Sequence, residues 1–198
     1  MPDLILASTS PVRAQLLRNA GLKIETVAPR VDEESIKQSL QGVDAKPRDV
    51  ADALAQEKAR KVAGKWDNAL VLGCDQVLEV SGQMLSKPSD ETEAISHLTR
   101  MRGTSHTLYS AAVFYEGPAP VWRHVGKTTL HMRDLSDAYI EGYIRRNWDS
   151  IRYCGGCYKI EEEGARLFTR IEGDYFTILG LPLLEVLSYL TLRGTLQS

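Results

Sequence analysis

The sequence predicts an α/β protein that folds as a single domain over residues 1–198. Its 198 residues, 43% of them hydrophobic, are enough to bury one good core. Short apolar runs rich in β-branched residues alternate with segments whose apolar residues recur at helical spacing. Turn-forming residues separate these segments, so strands and helices should alternate along the chain. Two lobes around a cleft would also fit this length.

The first two predicted elements are a strand and a helix that follows it directly. Residues 4–7 form a short apolar run with a β-branched residue inside it, which is typical of a buried strand. Ser10 can cap the following helix, and Pro11 suits its first position because proline there loses no hydrogen bond. Gly21 can end this helix.

The middle of the chain should contain a strand, a polar connection, a helix and another strand. We expect a strand at residues 24–28, a polar stretch at 29–47 and a helix over 48–63. Residues 69–74 are a continuous apolar run, which is typical of a strand buried on both faces. This strand would deliver Asp75 at its C-terminal end, where functional groups are often found in open α/β sheets.

The second half of the chain should continue this alternation. The predicted elements are a helix beginning at residues 89–92, a long strand at 105–115, a strand at 121–132 that forms a hairpin with it, a helix capped by Ser136, a strand at 175–179 and a terminal helix at 182–192. Gly155 and Gly156 mark a turn before the last strand.

The charge and hydropathy of the chain argue against two classes of partner. A formal net charge of -2 and a pI near 6.1 provide no basic surface for polymeric nucleic acid. No apolar run reaches the roughly 18 residues needed to cross a membrane, and the first residues lack the basic segment of a secretory signal. We therefore expect a cytoplasmic protein that meets any anionic ligand with a few well-placed cations.

The cysteines are too few for the disulfide framework of a small secreted protein. Cys154 and Cys157 have the C-x-x-C spacing that occurs in redox pairs and in one half of many zinc sites. The histidines are scattered and supply no second pair of ligands. A glycine turn with incidental cysteines is the simpler interpretation, and a redox or zinc role stays open.

A hydroxyl-rich loop joins the first strand to the first helix. Ser8, Thr9 and Ser10 precede the helix N-terminus, where free backbone N–H groups and the helix dipole favour an anion. Arg13 adds a fork of donors on the first helical turn. The same pattern also fits a plain serine-capped helix with a solvated arginine, so by itself it only suggests a phosphate site.

Two carboxylates and two lysines could complete such a site. Glu33 lies in the polar stretch and Asp75 follows a buried strand, and Mg²⁺ is commonly held by one or two carboxylates together with substrate phosphates. A solvated charge is the alternative for Glu33, whereas an aspartate after a buried strand is costly to bury without a partner. Lys58 and Lys87 supply compact cations, although most lysines are simply solvated.

Several common catalytic motifs are absent from the sequence. It has no G-x-x-x-x-G-K-[ST] phosphate loop, no G-x-G-x-x-G dinucleotide turn, no G-x-S-x-G nucleophile elbow and no H-E-x-x-H zinc motif. A phosphate site would have to be built from the dispersed residues above.

Taken in order along the chain, these residues resemble one known family. The motifs are Leu6-Ala-Ser-Thr-Ser-Pro11 with Arg13, Val31-Asp-Glu33, Ala55-Gln-Glu-Lys-Ala59, Gly73-Cys-Asp75, Ser86-Lys-Pro88, Gly155-Gly156 and Gly180-Leu-Pro182. They look like the Maf proteins, nucleotide pyrophosphatases that are also described as septum-formation inhibitors. The resemblance covers nearly the whole chain, and the joint order of the motifs is far more specific than any one of them.

The resemblance implies a fold and a reaction. The fold would be an α/β structure with a mixed sheet, flanking helices and a central cleft between two lobes, related in architecture to the inosine triphosphate pyrophosphatases. The reaction would cut a nucleoside triphosphate between its α and β phosphates and release the nucleoside monophosphate and pyrophosphate. A divalent metal cation, Mg, Mn or Co, would be the cofactor.

The resemblance also implies roles for individual residues. Asp75 would be the proton acceptor and would hold the metal ion together with Glu33. The residues expected to line the triphosphate site are Ser8, Ser10, Arg13, Lys58 and Lys87.

Three positions depart from the commonest form of the family. Members that act on thymidine and uridine triphosphates usually have arginine, threonine and glutamine where this chain has Val12, Gln76 and Glu161. Gln76 and Glu161 resemble the subgroup that hydrolyses 7-methylguanosine triphosphate, whereas that subgroup has tryptophan in place of Val12. The resemblance therefore favours a modified or non-standard nucleotide, with these three residues selecting the base.

Two other functions stay open. A nucleotide-binding regulator of cell division would bind the same ligand with little turnover, although it would have no use for a metal-paired base. A purine-specific inosine triphosphate hydrolase of similar architecture is the second alternative. The sequence leaves the oligomeric state open, with a homodimer among the possibilities.

Overall fold

Strands and helices alternate in the computed structural model, which describes residues 2–42, 44–66 and 69–197. The strands are β1 (Leu4–Ala7), β2 (Ile24–Thr26), β3 (Leu70–Val80), β4 (Gln83–Leu85), β5 (Ser105–Glu116), β6 (Ala119–Met132) and β7 (Phe168–Glu172). The helices are α1 (Pro11–Asn19), α2 (Glu33–Gln41), α3 (Pro47–Ala63), α4 (Glu91–Met101), α5 (Asp137–Ile151), α6 (Tyr175–Ile178) and α7 (Leu183–Leu192), with a 3₁₀ turn at Glu163–Leu167. None of these described helices has the length and apolarity needed to cross a lipid bilayer.

The described strands form one mixed seven-stranded sheet. Its order is β2-β1-β3-β5-β6-β7, and β4 pairs with β3. β1 is parallel to both neighbours, since Leu6 pairs with Thr26 on one side and with Leu72 on the other. β4 is antiparallel to the end of β3, and β7 is antiparallel to β6. The predicted α/β class, with a mixed sheet and flanking helices, is therefore confirmed.

The chain divides into two compact units. The first unit consists of Met1–Gln76, Tyr109–Gly126 and Tyr175–Ser198, and the second of Val77–Leu108 and Lys127–Asp174. In the first unit, apolar residues of β1, β3, α1 and α7 pack into one core that includes the fully buried Leu6, Leu72 and Leu190. In the second unit α4 packs against α5, and Leu98, Met101 and Tyr143 are fully buried. The expectation of a single domain over residues 1–198 stays a prediction.

A glycine brings α3 into close contact with β3 inside the first unit. A side chain at Gly73 would place its Cβ only 2.1 Å from the Ala55 carbonyl oxygen and 2.8 Å from the Ala59 Cβ. Both distances are far inside van der Waals contact, so only glycine fits here. This approach places Lys58 of α3 beside Asp75, two residues after the glycine.

Two predictions around the site residues are corrected. The polar stretch at 29–47 contains α2, which begins at Glu33 because the side chain of Asp32 caps it by accepting from the Ser35 N–H. The apolar strand also does not end before Asp75, since β3 continues to Val80 and its last residues pair with β4. Asp75 therefore lies within a strand and not at its end.

The predicted strand at residues 175–179 is wrong, and β7 is a strand that the sequence pattern did not predict. Residues 175–178 form the short helix α6, with a hydrogen bond from the Leu179 N–H to the Tyr175 carbonyl at 3.4 Å. Their β-branched and aromatic side chains favour a strand, but packing in the first unit overrides that preference. β7 was missed because its residues are mostly exposed and polar, and only its pairing with β6 makes it a strand.

Candidate active site

A cluster of charged side chains joins three elements of the first unit. Lys58 of α3 donates to Asp75 Oδ1 at 2.5 Å and lies 2.7 Å from Glu33 Oε1. Lys58 and Asp75 are both buried, whereas the Glu33 side chain is 36% exposed. Because a buried charge is costly without a partner, the ammonium and the two carboxylates stabilise one another. The structure thus brings three of the predicted site residues into direct contact.

The oxygen donors of this cluster suit a hard divalent cation. Two ionised carboxylates against one ammonium leave a single negative charge, and Mg²⁺ is usually bound by one or two carboxylates plus substrate phosphates. Within the described ranges, no group of three or more histidine, cysteine or acidic side chains could hold a metal by itself. Asp75 and Glu33 supply two carboxylates, the kind of ligand that such a cation takes.

Backbone carbonyls hold the guanidinium of Arg13 next to this cluster. Its Nε donates to the Gly180 carbonyl at 2.7 Å, and its Nη1 donates to the Cys74 carbonyl at 3.1 Å and to Ser8 Oγ at 3.5 Å. The Nη2 group has no hydrogen-bond partner in the described part of the chain. Its two N–H donors are thus available to an anion, with the rest of the side chain already fixed.

Both its backbone conformation and the nearby Arg13 side chain favour glycine at position 180. Its φ of 92° lies in the region that favours glycine, and a Cβ there would lie 3.0 Å from Arg13 Nη2. Any side chain at this position would therefore press on the guanidinium.

Ser8 and Ser10 order the loop before α1. Ser8 is buried, and its Oγ accepts from the Ser10 N–H at 3.2 Å. Ser10 Oγ accepts from the Arg13 N–H at 3.4 Å, so the predicted helix cap is confirmed. Val12, the second residue of α1, is half-buried.

Gln76 follows Asp75 and directs its amide nitrogen into the first unit. Nε2 donates to Ser110 Oγ at 2.9 Å and to the carbonyls of Thr177 and Ile178, each at 3.0 Å. The protein therefore occupies the donors of this amide. Only its carbonyl oxygen remains to accept from a ligand.

Sequence reasoning missed two groups that hold this site together. Ser110 is fully buried in β5, where its hydroxyl donates to the Thr177 carbonyl at 2.7 Å and accepts a hydrogen bond from Gln76 Nε2. A serine directly before the apolar run at residues 111–114 was the available signal. The Gly180 carbonyl gave no such signal, because a backbone acceptor has no side chain to identify it.

Lys87 and Glu161 belong to the second unit, and both are exposed. Burial raises the pKa of the nearby Cys154 thiol, and the charge of Glu161 raises it further while that of Lys87 lowers it. Glu161 and Lys87 therefore lie within electrostatic range of the same sulfur.

The three consecutive glutamates at 161–163 have different surroundings. Glu162 pairs with Lys159 at 3.0 Å, and Glu163 pairs with Arg146 at 2.7 Å. The Glu161 carboxylate is exposed and makes no hydrogen bond or ion pair with any residue that the structure describes. It is thus the member of this run that is available to a ligand.

Comparison with known proteins identifies the family. A family model described as Maf-like protein matches residues 3–192. The chain is 58% identical over 197 residues to a nucleoside triphosphate pyrophosphatase of Roseobacter denitrificans, covering 99% of each chain. It is 56% identical over 195 residues to a nucleoside triphosphate pyrophosphatase of Ruegeria pomeroyi, covering 98% of each chain. It is also 45% identical over 197 residues to a 7-methyl-GTP pyrophosphatase of Rhizobium meliloti, covering 100% of this chain and 99% of that relative. The chain therefore belongs to the family of Maf-like proteins.

Proposed function

We propose that this chain hydrolyses the α–β phosphoanhydride bond of a nucleoside triphosphate and releases the nucleoside monophosphate and pyrophosphate. The enzyme class follows from the family: the chain is a nucleoside triphosphate pyrophosphatase, a hydrolase. The observation that best supports a site for this reaction is the buried contact of Lys58 with Asp75 and Glu33. A charged cluster of this kind is costly to bury and is poor evidence of stability, so it is better explained by chemistry.

Asp75 is the general base in this proposal. Lys58 donates to Oδ1, which holds the carboxylate in one orientation and leaves Oδ2 to take the proton of the attacking water. The hydroxide that results attacks the α-phosphorus, and the bond between this phosphorus and the bridging oxygen of the pyrophosphate breaks. Positioning a base in this way typically contributes about 10²- to 10⁴-fold to the rate.

Cationic groups bind the triphosphate and stabilise the leaving pyrophosphate. Arg13 contributes the donors on Nη2, and the loop of Ser8 and Ser10 contributes the N-terminal end of α1. Lys58 contacts both carboxylates in the structure. To bind a phosphate, its ammonium group gives up its contact with one of these carboxylates. Lys87 joins this set on the strength of the family resemblance.

Asp75 and Glu33 would hold the divalent metal ion, Mg, Mn or Co. When bound, that ion neutralises charge on the triphosphate. Lys58 would hold in place the carboxylate that it does not exchange for a phosphate.

Glu161 reads the base in this proposal, together with Gln76 and Val12. A carboxylate only accepts hydrogen bonds, so it suits the guanine edge, where N1–H and the exocyclic amine lie side by side. Methylation at N7 makes the ring cationic and strengthens both donors. The exposed, unpaired carboxylate of Glu161 and the 7-methyl-GTP pyrophosphatase among the relatives support a modified guanine nucleotide as the substrate. A cytoplasmic location and a homodimer stay predictions.

A panel of common and modified nucleoside triphosphates, incubated with Mg²⁺ or Mn²⁺, tests the reaction. We expect pyrophosphate from at least one of them, and water labelled with heavy oxygen should place its label in the monophosphate. Orthophosphate and nucleoside diphosphate as products would overturn the proposal. Tight nucleotide binding without any pyrophosphate would favour the cell-division regulator instead.

The variant Asp75→Asn tests the assignment of the base. The amide keeps the shape but loses the charge and the basic lone pair, so turnover should fall by roughly 10²-fold or more with an unchanged circular dichroism spectrum. Asp52→Asn is the matched control, because Asp52 lies on α3 and pairs with Arg123 at 2.7 Å, outside the cluster. It should keep nearly full activity.

A further inference from the structure

The cysteine pair of the second unit lies outside the catalytic cluster. Cys154 and Cys157 are free thiols, and the turn between them is closed by a hydrogen bond from the Cys157 N–H to the Cys154 carbonyl at 3.0 Å. A turn closed in this way brings its first and last Cα atoms within about 7 Å of each other. That separation overlaps the range in which a disulfide can form, about 4.4 to 6.8 Å. Cys154 is half-buried and Cys157 is buried, so solvent reaches the pair through Cys154.

The backbone of this turn is held in an unusual conformation. Cys157 has a φ of 57°, in the left-handed region that costs an L-residue roughly 1 kcal/mol. A Cβ at Gly156 would lie 2.4 Å from the Tyr158 ring, so only glycine fits before it. Backbone strain of this kind is often kept where it serves a function.

His97 of α4 is placed to assist thiol chemistry at this turn. Its Nδ1 lies 3.7 Å from Cys157 Sγ. Burial lowers the pKa of His97, which keeps the imidazole neutral at pH 7 and able to accept a proton. The Glu93 carboxylate, 3.7 Å from Nε2, stabilises the imidazolium that would result.

We propose that Cys154 and Cys157 form a reversible disulfide by exchange with a small-molecule disulfide such as oxidised glutathione, and that closing it weakens nucleotide binding. Cys154 loses its proton to solvent, and its thiolate attacks the small disulfide, which forms a mixed disulfide and releases one thiolate that takes up a proton from solvent. Cys157 then gives its proton to His97 and attacks Cys154 Sγ, which expels the second thiolate. The proton passes from His97 to that leaving group. Two protein thiols become one disulfide, and one small disulfide becomes two thiols.

The turn lies near the segments that carry two residues of the proposed substrate site. A Cβ at Gly155 would lie 3.7 Å from the Leu85 carbonyl oxygen, two residues before Lys87. The charges of Glu161 and Lys87 both act on Cys154. Pulling Cys157 Sγ away from His97 towards Cys154 therefore strains the segments that carry both side chains. This coupling rests on the proposed function, whereas formation of the disulfide does not.

Thiol counting tests the disulfide without any need for turnover. The protein is held for hours in buffers of increasing oxidised-to-reduced glutathione ratio, since burial raises the pKa of both thiols and makes exchange slow. Wild type should lose two alkylatable thiols and a mass of two hydrogen atoms, and a reductant should restore both. The fully buried Cys74 should stay reduced throughout. Three reactive thiols at every ratio, or a stable glutathione adduct on wild type, would overturn the disulfide.

Single variants identify the order of events. Cys157→Ser should stop at the mixed disulfide on Cys154, because no second thiol remains to resolve it. Cys154→Ser should take up no glutathione, because Cys157 is buried. An adduct on Cys157 in that variant would contradict the assigned order.

Kinetics of the oxidised enzyme test the coupling. Because Lys87 and Glu161 bind substrate rather than perform the chemistry, closing the disulfide should raise KM roughly two- to tenfold and leave kcat nearly unchanged. The double variant Cys154→Ser with Cys157→Ser should keep one KM at every glutathione ratio. A constant KM in fully oxidised wild type would disprove the coupling. Absence of turnover in every form would instead count against the proposed function, with the thiol counts still decisive for the disulfide.

Discussion

The two units differ in the pairs of ionisable side chains that they bury. The first unit buries Lys58 and Asp75 as a charged pair with a contact of 2.5 Å. The second unit buries His106, Tyr158 and Cys157 in neutral form, with His106 Nε2 at 2.7 Å from the Tyr158 hydroxyl. Burial lowers the pKa of His106 to about 4 and raises that of Cys157 to about 12, so both are uncharged at pH 7.

This contrast helps to distinguish buried groups that serve a reaction from buried groups that serve only the structure. A neutral pair such as His106 and Tyr158 is buried without the desolvation of an ion, whereas a charged pair must overcome the desolvation of two ions. A charged pair kept in the core is therefore a better sign of a reaction than a neutral one. The second unit instead keeps its proposed ligand charges, Lys87 and Glu161, on the surface.

The largest effect is expected when the charged pair of the first unit is broken. Lys58→Met should lower the free energy of unfolding by about 3–5 kcal/mol, because it leaves Asp75 buried without its counter-ion. Urea denaturation followed by circular dichroism measures this loss. Adding Asp75→Asn to the same chain should recover much of it.

Arg60→Gln is the matched control on the same helix. Arg60 pairs with Glu57 at 2.7 Å on the surface, where such pairs contribute little to stability. An equal loss in the Arg60 and Lys58 variants would show that burial of the pair is not what matters.

The neutral pair of the second unit should make stability depend on pH. The folded pKa of His106, about 4, lies below the ordinary value of 6.5 because of burial and then because of repulsion from His131. The unfolded chain therefore binds the proton first, and stability that is complete above pH 6.5 is lost as the pH falls towards 4. The loss should be about 3 kcal/mol and should be missing in His106→Gln.

Urea titrations of both proteins across that pH range provide the measurement. The pKa of His97 is also lowered by burial. Its effect on stability is the same in wild type and in His106→Gln, so it cancels when their free energies of unfolding are subtracted. Parallel curves would mean that His106 is not buried in neutral form.

The next effect concerns the carbonyl that holds Arg13. Gly180→Ala adds a Cβ 3.0 Å from Arg13 Nη2, so kcat/KM should fall by up to about 10²-fold as the guanidinium moves. Gly194→Ala is the matched control, since its φ of 78° carries the same backbone cost with nothing within 4 Å of the new Cβ. Similar kinetics for the two variants would show that backbone strain alone, not Arg13, explains the loss.

The smallest effect is expected on the surface of the second unit. Glu161→Gln should lower kcat/KM for guanine-type substrates relative to uridine triphosphate. The loss should correspond to about 1–3 kcal/mol of binding free energy in the transition state, the value of one bidentate base contact. Glu162→Gln is the control, because that carboxylate pairs with Lys159 at 3.0 Å. A uniform change on all substrates would move base selection to Gln76 and Val12.

Local signals predicted much of the fold. The bounds of β1, the cap at Ser10 and the apolar repeat of α3 agree with the structure, because each depends on neighbouring residues only. The contact of Lys58 with Asp75 and Glu33 was not predicted, although all three residues were expected in one site. The bonds of Gln76 were also missed, since its acceptors lie 34 and 101 residues away along the chain.

The sequence by itself determined the α/β class and the family, and it supplied the candidate site residues. These depend on side-chain periodicity, helix capping and the order of short motifs, which are properties of the chain before it folds. Only the tertiary structure decided that Asp75 lies within a strand, that residues 175–178 are helical and that Glu161 is unpaired while Glu162 and Glu163 are not. The physical reason is that burial, ion pairing and strand pairing are set by residues distant in sequence, which meet only when the chain has folded.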